Sequence, residues 1–207
     1  MSQIAFQAKI SLFEAAKAHN FVDPVTGEAP SCEEELSAIL SYFHQVGRIE
    51  WKRVQLKNVM KPQETVPASE VIANSDIVLT EYHLVACDQS QIEVWGGMPA
   101  YLLFLARDGR RVVLLENKIG SKFTYGVDPK DGQVARQLRY LLASVPRQCI
   151  YIFLSSGRLL DQGWYIKEVS EAIRLDDRAN KICGYIMRWE DVLAATTAAQ
   201  PGAAAGR

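Results

Sequence analysis

Two apolar runs joined by a short polar turn most strongly limit how this chain can fold. Residues 101–106 (YLLFLA) and 111–115 (RVVLL) flank Arg107-Asp108-Gly109-Arg110. An Asp-Gly pair between two apolar runs is typical of a β-hairpin, because these residues tolerate the positive φ angles that such turns need. The second run is almost entirely apolar, which is typical of a central strand covered on both faces. The sequence therefore predicts a sheet built around this hairpin.

Further helices and strands are predicted on both sides of the hairpin. Apolar residues at helical spacing predict helices over 1–20, 31–47, 133–144, 167–175 and 189–195. Runs rich in β-forming residues predict strands over 77–85, 149–154 and 182–187. We interpret the chain as one mixed α/β domain with three parts: an N-terminal helical segment over 1–70, a core over 71–197 and a disordered tail over 198–207.

Composition and charge argue against several classes of protein. The chain has 207 residues, with 23 Lys or Arg and 24 Asp or Glu, so its formal net charge is −1. This balance excludes a polybasic protein held on nucleic acid by bulk charge. No apolar run reaches the roughly 18–20 residues that a membrane span needs, and no signal-peptide pattern is present. Because the four cysteines form no CxxC pair, we expect a cytoplasmic protein with no membrane partner.

The sequence Glu116-Asn117-Lys118 ends the second apolar run. Side chains alternate along a strand, so Glu116 and Lys118 are expected to point to the same side. Two ionisable groups at the end of an apolar strand are costly to leave without partners, which indicates a site. A carboxylate there can bind Mg²⁺, and an ammonium group can bind a phosphate oxygen. A Glu–Lys pair that reaches solvent at the strand end is the alternative interpretation.

The segment around this motif is basic. Residues 107–147 contain nine basic and four acidic residues, a net charge of +5, whereas the remaining 14 basic and 20 acidic residues give −6. Local positive charge is expected of a protein that binds a phosphate backbone. Arginines that only solvate the surface of a hairpin and a helix are the alternative.

The motif and its surroundings resemble the PD-(D/E)XK nuclease superfamily. Gly97-Met98-Pro99-Ala100 precedes the hairpin, Glu-Asn-Lys-Ile occupies 116–119, and Gln-Leu-Arg-Tyr occupies 137–140 on the following predicted helix. A prokaryotic branch with Glu-Asn-Lys-Ile and a helical Gln-Leu-x-x-Tyr, or a close variant, is most similar, over residues 77–154. The Gln-Leu-Arg-Tyr of this chain is one residue shorter than that helical pattern. The resemblance implies a restriction-endonuclease-like α/β fold, with a mixed sheet of about four or five strands flanked by helices. It also implies metal-dependent hydrolysis of phosphodiester bonds, in DNA rather than RNA.

The resemblance implies a role for each matched residue. Glu116 would bind Mg²⁺ or Mn²⁺ through its carboxylate, and Asn117 through its backbone carbonyl. Lys118 would position the attacking water or stabilise charge on phosphorus, and Gln137 would lie near the site. Glu81 is the candidate for a further glutamate ligand, with a solvent-facing strand residue as the alternative. The candidates for nucleic-acid binding are basic residues close to the motif: Lys122, Arg136 and Arg139.

Position 100 departs from the superfamily pattern. A metal-binding aspartate is expected after Pro99, but the chain has Ala100, which has no side-chain oxygen. One interpretation is a nuclease inactivated at this position, which the presence of the other motif residues favours. Another is a natural module that binds nucleic acid or a partner protein without cutting. In a third, Asp88 or Glu93 replaces the missing aspartate.

With alanine at position 100, we expect little or no cutting by the chain as given, weakened binding of Mg²⁺ or Mn²⁺, and retained binding of nucleic acid. A toxin or phage-defence effector that uses this nuclease domain is a further alternative. A homodimer, or a protein partner bound through the N-terminal helices, also stays open.

Overall fold

The predicted hairpin forms two neighbouring inner strands of a mixed sheet in the computed structural model, which describes residues 3–84, 98–119, 132–144, 148–161, 163–174 and 182–197. These residues form seven strands of one sheet: β1 (Gln55–Asn58), β2 (Thr65–Pro67), β3 (Ile77–Leu84), β4 (Met98–Leu105), β5 (Arg111–Lys118), β6 (Gln148–Ser155) and β7 (Ile182–Arg188). Their order is β2-β1-β7-β6-β5-β4-β3. The α/β class is therefore confirmed, and the expected number of strands was too small.

The sheet combines an antiparallel half with a parallel half. Strands β3, β4 and β5 pair antiparallel, β5, β6 and β7 pair parallel, and β1 is antiparallel to β7 and β2. The parallel register aligns Lys118 of β5 with Ser155 of β6, and Ser155 with Arg188 of β7. Ligands of open α/β sheets bind outside the carboxyl ends of the strands. The Glu116-Asn117-Lys118 motif therefore ends at the edge where a ligand is expected.

The turn between β4 and β5 has the conformation that its sequence predicts. Gly109 has a φ of 71°, a value that glycine adopts at little cost. The backbone N–H of Arg110 donates to Oδ1 of Asp108 at 2.9 Å. Both residues of the Asp-Gly pair thus stabilise the turn that sets the register of β5.

Six helices among the described residues flank the sheet: α1 (Gln3–Ala18), α2 (Glu33–Gln45), α3 (Gln133–Ser144), α4 (Gly157–Leu160), α5 (Trp164–Arg174) and α6 (Trp189–Ala194). Helices α1, α2 and α6 pack on the face that contains Val113 and Leu115. Helices α3, α4 and α5 pack on the opposite face, against Leu114 and Tyr151. None of the described helices has the length and apolar character needed to cross a membrane.

The segment before residue 70 differs most from the prediction. It contains β1 and β2 in addition to α1 and α2, with two short 3-10 turns at Trp51–Arg53 and Ala68–Glu70. The N-terminal segment therefore contains strands in addition to its two predicted helices. Strand β1 has four residues and β2 has three, too few for a clear alternating pattern. The predicted tail over 198–207 lies outside the described residues.

A close approach between β7 and α5 predicts a large effect of one added methyl group. A Cβ atom at Gly184 would meet Cδ1 of Ile173 and lie 2.7 Å from Cγ2 of Val59. We therefore expect Gly184→Ala to lower the free energy of unfolding by about 1–3 kcal/mol, measured by urea denaturation. Ile173→Val removes Cδ1, so the double variant should be more stable than the sum of the single changes predicts. Strict additivity would contradict this account of the packing.

Candidate active site

Glu116 and Lys118 form a buried ion pair at the end of β5. The exposed fraction of Glu116 is 0% and that of Lys118 is 6%. The Nζ atom of Lys118 lies 3.3 Å from Oε1 of Glu116, so the two side chains share one side of the strand as strand alternation requires. The alternative of a pair that reaches solvent is therefore wrong.

Two glutamines of α3 complete the contacts of the Glu116 carboxylate. The Nε2 group of Gln133 donates to Oε1 at 2.7 Å, and that of Gln137 donates to Oε2 at 2.8 Å. Residues four apart lie on the same side of a helix, so one face of α3 presents both amides to the sheet. Gln137 thus lies beside Glu116, as the resemblance implies. The contact between Gln133 and Glu116 was not predicted. The sequence did contain a signal for it, because Gln133 lies four residues before Gln137 on the same predicted helix.

Tyr151 of β6 lies behind Gln137. Its hydroxyl group donates to Oε1 of Gln137 at 3.0 Å, and both residues are fully buried. Burial raises the pKa of Tyr151 well above its ordinary value, and the negative charge of Glu116 acts in the same direction. The phenol is therefore a neutral hydrogen-bond donor at every physiological pH. No motif pointed to Tyr151, which occupies an apolar run in the sequence.

Opposing effects set the ionisation of Glu116. Burial raises its pKa, and the nearby carboxylate of Glu33 acts in the same direction. The ammonium group of Lys118 and the amide of Gln137 lower it, but the net shift is upward. A buried carboxylate is tolerated only when such donors replace water. The two amides and Lys118 therefore stabilise the Glu116 carboxylate at a buried position, where a charged group without such donors would be strongly unfavourable.

The side chain of Asn117 binds groups on the opposite face of the sheet. Its Nδ2 group donates to the backbone oxygen of Glu33 at 3.1 Å and to Oγ of Ser37 at 3.0 Å. Its Oδ1 atom accepts from Nε1 of Trp189 at 2.9 Å. Glu33 also accepts a hydrogen bond from the backbone N–H of Ile119 at 2.6 Å. These contacts, which the sequence did not predict, fix the end of β5 against α2 and α6.

The other candidate residues are described only in part. The backbone of Ala100 lies in β4 and pairs with Tyr82 of β3, next to Glu81 in the same strand. Arg136 and Arg139 lie on α3, where Arg136 is half-buried. The remaining candidates lie outside the described residues: Asp88, Glu93 and Lys122.

The strand register relates position 100 to Glu116. Leu103 of β4 pairs with Leu114 of β5, which lies on the same side of the strand as Glu116. Continued along both strands, this register sets position 101 opposite Glu116 and position 81 of β3 opposite 101. Ala100 is next to this row, and strand alternation sets position 100 on the other side of β4. The register therefore favours position 101 for an introduced carboxylate, whereas the motif resemblance points to position 100.

The residues that the structure describes do not by themselves fit a bound metal ion. Among them, no three His, Cys, Asp or Glu side chains are grouped so that they could hold one. Both oxygens of Glu116 already accept hydrogen bonds from the protein. Mg²⁺ requires near-octahedral oxygen coordination, and Ala100 supplies no side-chain oxygen. The described donor set is therefore short of what Mg²⁺ needs.

Comparisons with protein-family models, with curated proteins and with solved structures found no match.

The raised pKa of Glu116 predicts how stability changes with pH. The folded protein binds a proton at Glu116 more tightly than the unfolded chain, whose carboxyl has the ordinary pKa of 4.5. The stabilising contribution is therefore complete below that value and falls as the pH rises toward the raised pKa. We expect the unfolding free energy of the parent, relative to Glu116→Gln, to fall as the pH rises above the ordinary carboxyl pKa of 4.5 in urea titrations.

A control for this pH dependence is Glu64→Gln. The Glu64 carboxylate is exposed and pairs with Lys61 at 3.1 Å, so its replacement should leave the pH dependence nearly unchanged. If the unfolding free energy of the parent instead rose with pH relative to that of Glu116→Gln, the prediction would be wrong. Lys118 and the glutamine amides would then lower the pKa of Glu116 by more than burial raises it.

Proposed function

We propose that this chain has the scaffold of a metal-dependent nuclease that hydrolyses phosphodiester bonds of DNA, in a form disabled at Ala100. The observation that supports this proposal most is the contact among Glu116, Lys118 and Gln137 at the carboxyl end of β5. These are the residues that the motif resemblance assigns to catalysis. We further propose a restriction-endonuclease-like architecture, which the mixed sheet and its flanking helices support.

The charges of the site suit a phosphate group. The ammonium group of Lys118 lies 3.3 Å from Oε1 of Glu116 at the strand end. A cation there can offset negative charge that develops on phosphorus during cleavage. We propose Mg²⁺ or Mn²⁺ as the ion that a site restored with an aspartate at position 100 binds. Glu81 is proposed as a further ligand, because its register position lies in the row of Glu116.

Binding of nucleic acid is supported by the basic segment 107–147 and by Arg136. Arg136 is half-buried and precedes Gln137 on α3. Its guanidinium group can donate to a phosphate oxygen.

A binding module without catalysis is the second candidate function. It is favoured by the Glu116 carboxylate, whose two oxygens are already engaged by Gln133, Gln137 and Lys118. In that case the ion pair stabilises the end of β5, and the protein recognises nucleic acid or a partner protein. A nuclease toxin or defence effector would instead become toxic to cells when cutting is restored.

Cutting by a restored site separates these functions. Ala100→Asp and Tyr101→Asp should be incubated beside the parent with plasmid and single-stranded DNA, in Mg²⁺ or Mn²⁺ and in EDTA. On the motif pattern, we expect metal-dependent cutting by Ala100→Asp and none by the parent, because the aspartate supplies the missing carboxylate. Cutting by Tyr101→Asp instead would mean that the strand register, and not the motif, identifies the position of the carboxylate. Adding Glu116→Gln to the active variant should abolish the cutting. Absence of cutting by both folded aspartate variants would contradict the nuclease and favour the binding module.

Retained binding is a separate prediction for the chain as given. We expect the parent to shift labelled DNA at low ionic strength and to lose affinity as salt rises, because binding displaces counterions. Arg136→Ala should weaken the binding, whereas Arg53→Ala, an exposed arginine outside the basic segment, should not. RNA of the same sequence serves as the competitor that tests the preference for DNA. Salt-insensitive binding, or none, would contradict the proposed contact with phosphates.

A further inference from the structure

The hydrogen bonds behind Glu116 form a chain with one direction. The Tyr151 hydroxyl donates to Oε1 of Gln137 at 3.0 Å, and Nε2 of Gln137 donates to Oε2 of Glu116 at 2.8 Å. All three side chains are fully buried, so water does not compete for these groups. The three residues lie on three elements, β6, α3 and β5. This series of hydrogen bonds therefore connects Glu116 at the candidate site to the neighbouring strand β6.

A glutamine amide can turn over without a change of shape, exchanging its oxygen and its nitrogen. The carboxylate of Glu116 only accepts hydrogen bonds when it is ionised, so it needs the amide nitrogen. Turned over, Gln137 would present its oxygen to a negative charge and leave a buried acceptor without a donor, which is costly. A donor at the other end of the amide favours the productive orientation, and the Tyr151 hydroxyl is in place to supply it.

We propose that Tyr151 is a positioning residue, which sets the orientation of the Gln137 amide and thereby holds the Glu116 carboxylate for function. Gln133 donates to the other oxygen of Glu116. Removing the hydroxyl of Tyr151 should therefore loosen one of the two amide contacts and leave the other. The expected effect of Tyr151 on catalysis rests on the proposed nuclease function. Its effect on the orientation of the Gln137 amide does not.

The test measures the side-chain amide protons of both glutamines by nitrogen-15 NMR in the full chain. Gln133→Leu and Gln137→Leu assign the two amide signals by their disappearance. In Tyr151→Phe, we expect the Gln137 amide protons to exchange with solvent about fivefold faster or more, and those of Gln133 to change by less than about twofold. Unchanged exchange of Gln137, or equal acceleration at both glutamines, would overturn the proposal.

Phe153→Leu is the matched control for packing. Phe153 is also fully buried and lies two residues from Tyr151 on the same side of β6, but it carries no hydroxyl. Its replacement should disturb the apolar contacts of the same face without accelerating the exchange at Gln137. If Phe153→Leu accelerated exchange as much as Tyr151→Phe, packing and not the hydroxyl would orient the amide, and the proposal would be wrong.

A second measurement connects the orientation to activity. Where Ala100→Asp cuts DNA, adding Tyr151→Phe should reduce the cutting, and a rate that stays unchanged would overturn the functional half of the proposal. Where neither Ala100→Asp nor Tyr101→Asp cuts, the proposed nuclease function fails, while the amide exchange still decides whether Tyr151 positions Gln137. The two failures are therefore distinguishable.

Discussion

Burial of the Glu116 carboxylate is the interaction on which the organisation of this site depends. A charged group inside a sheet is strongly unfavourable unless donors replace its hydration. The chain provides these donors from two elements: Lys118 from the same strand and two amides from α3. Helix α3 must therefore dock in one rotation and one register. Removing one donor would leave a buried group unsatisfied, which commonly costs more than the hydrogen bond contributes.

The residues of one short motif serve both faces of the sheet. Glu116 and Lys118 face α3, whereas the Asn117 side chain binds α2 and α6 on the other face. Strand alternation makes this division unavoidable for three consecutive residues. The same tripeptide thus holds a charged centre and fixes the helices on the opposite side. This dual role explains why Asn117 is fully buried although it is polar.

The sequence predicted the elements that local pattern determines. The Asp108-Gly109 turn, the strands beside it and the helix over 133–144 have clear periodicity and clear ends, and the structure contains all of them. Strands β1 and β2 were missed because they are short and depend on pairing, β1 with β7 and with β2. The clustering of Glu116, Lys118 and Gln137 agrees with the motif spacing. Gln133 and Tyr151 were not predicted, since distant segments bring them together only after folding.

We propose that the Glu116 site lacks one carboxylate for binding a divalent metal. Calorimetric titration of Mn²⁺ into the parent and into Ala100→Asp, with Tyr101→Asp as the register alternative, tests it most directly. We predict at least about tenfold tighter binding by the Ala100→Asp protein than by the parent, equivalent to about 1.4 kcal/mol. Equal affinity of the folded parent and the folded aspartate variants would contradict the claim and leave Glu116 and Lys118 as a structural ion pair.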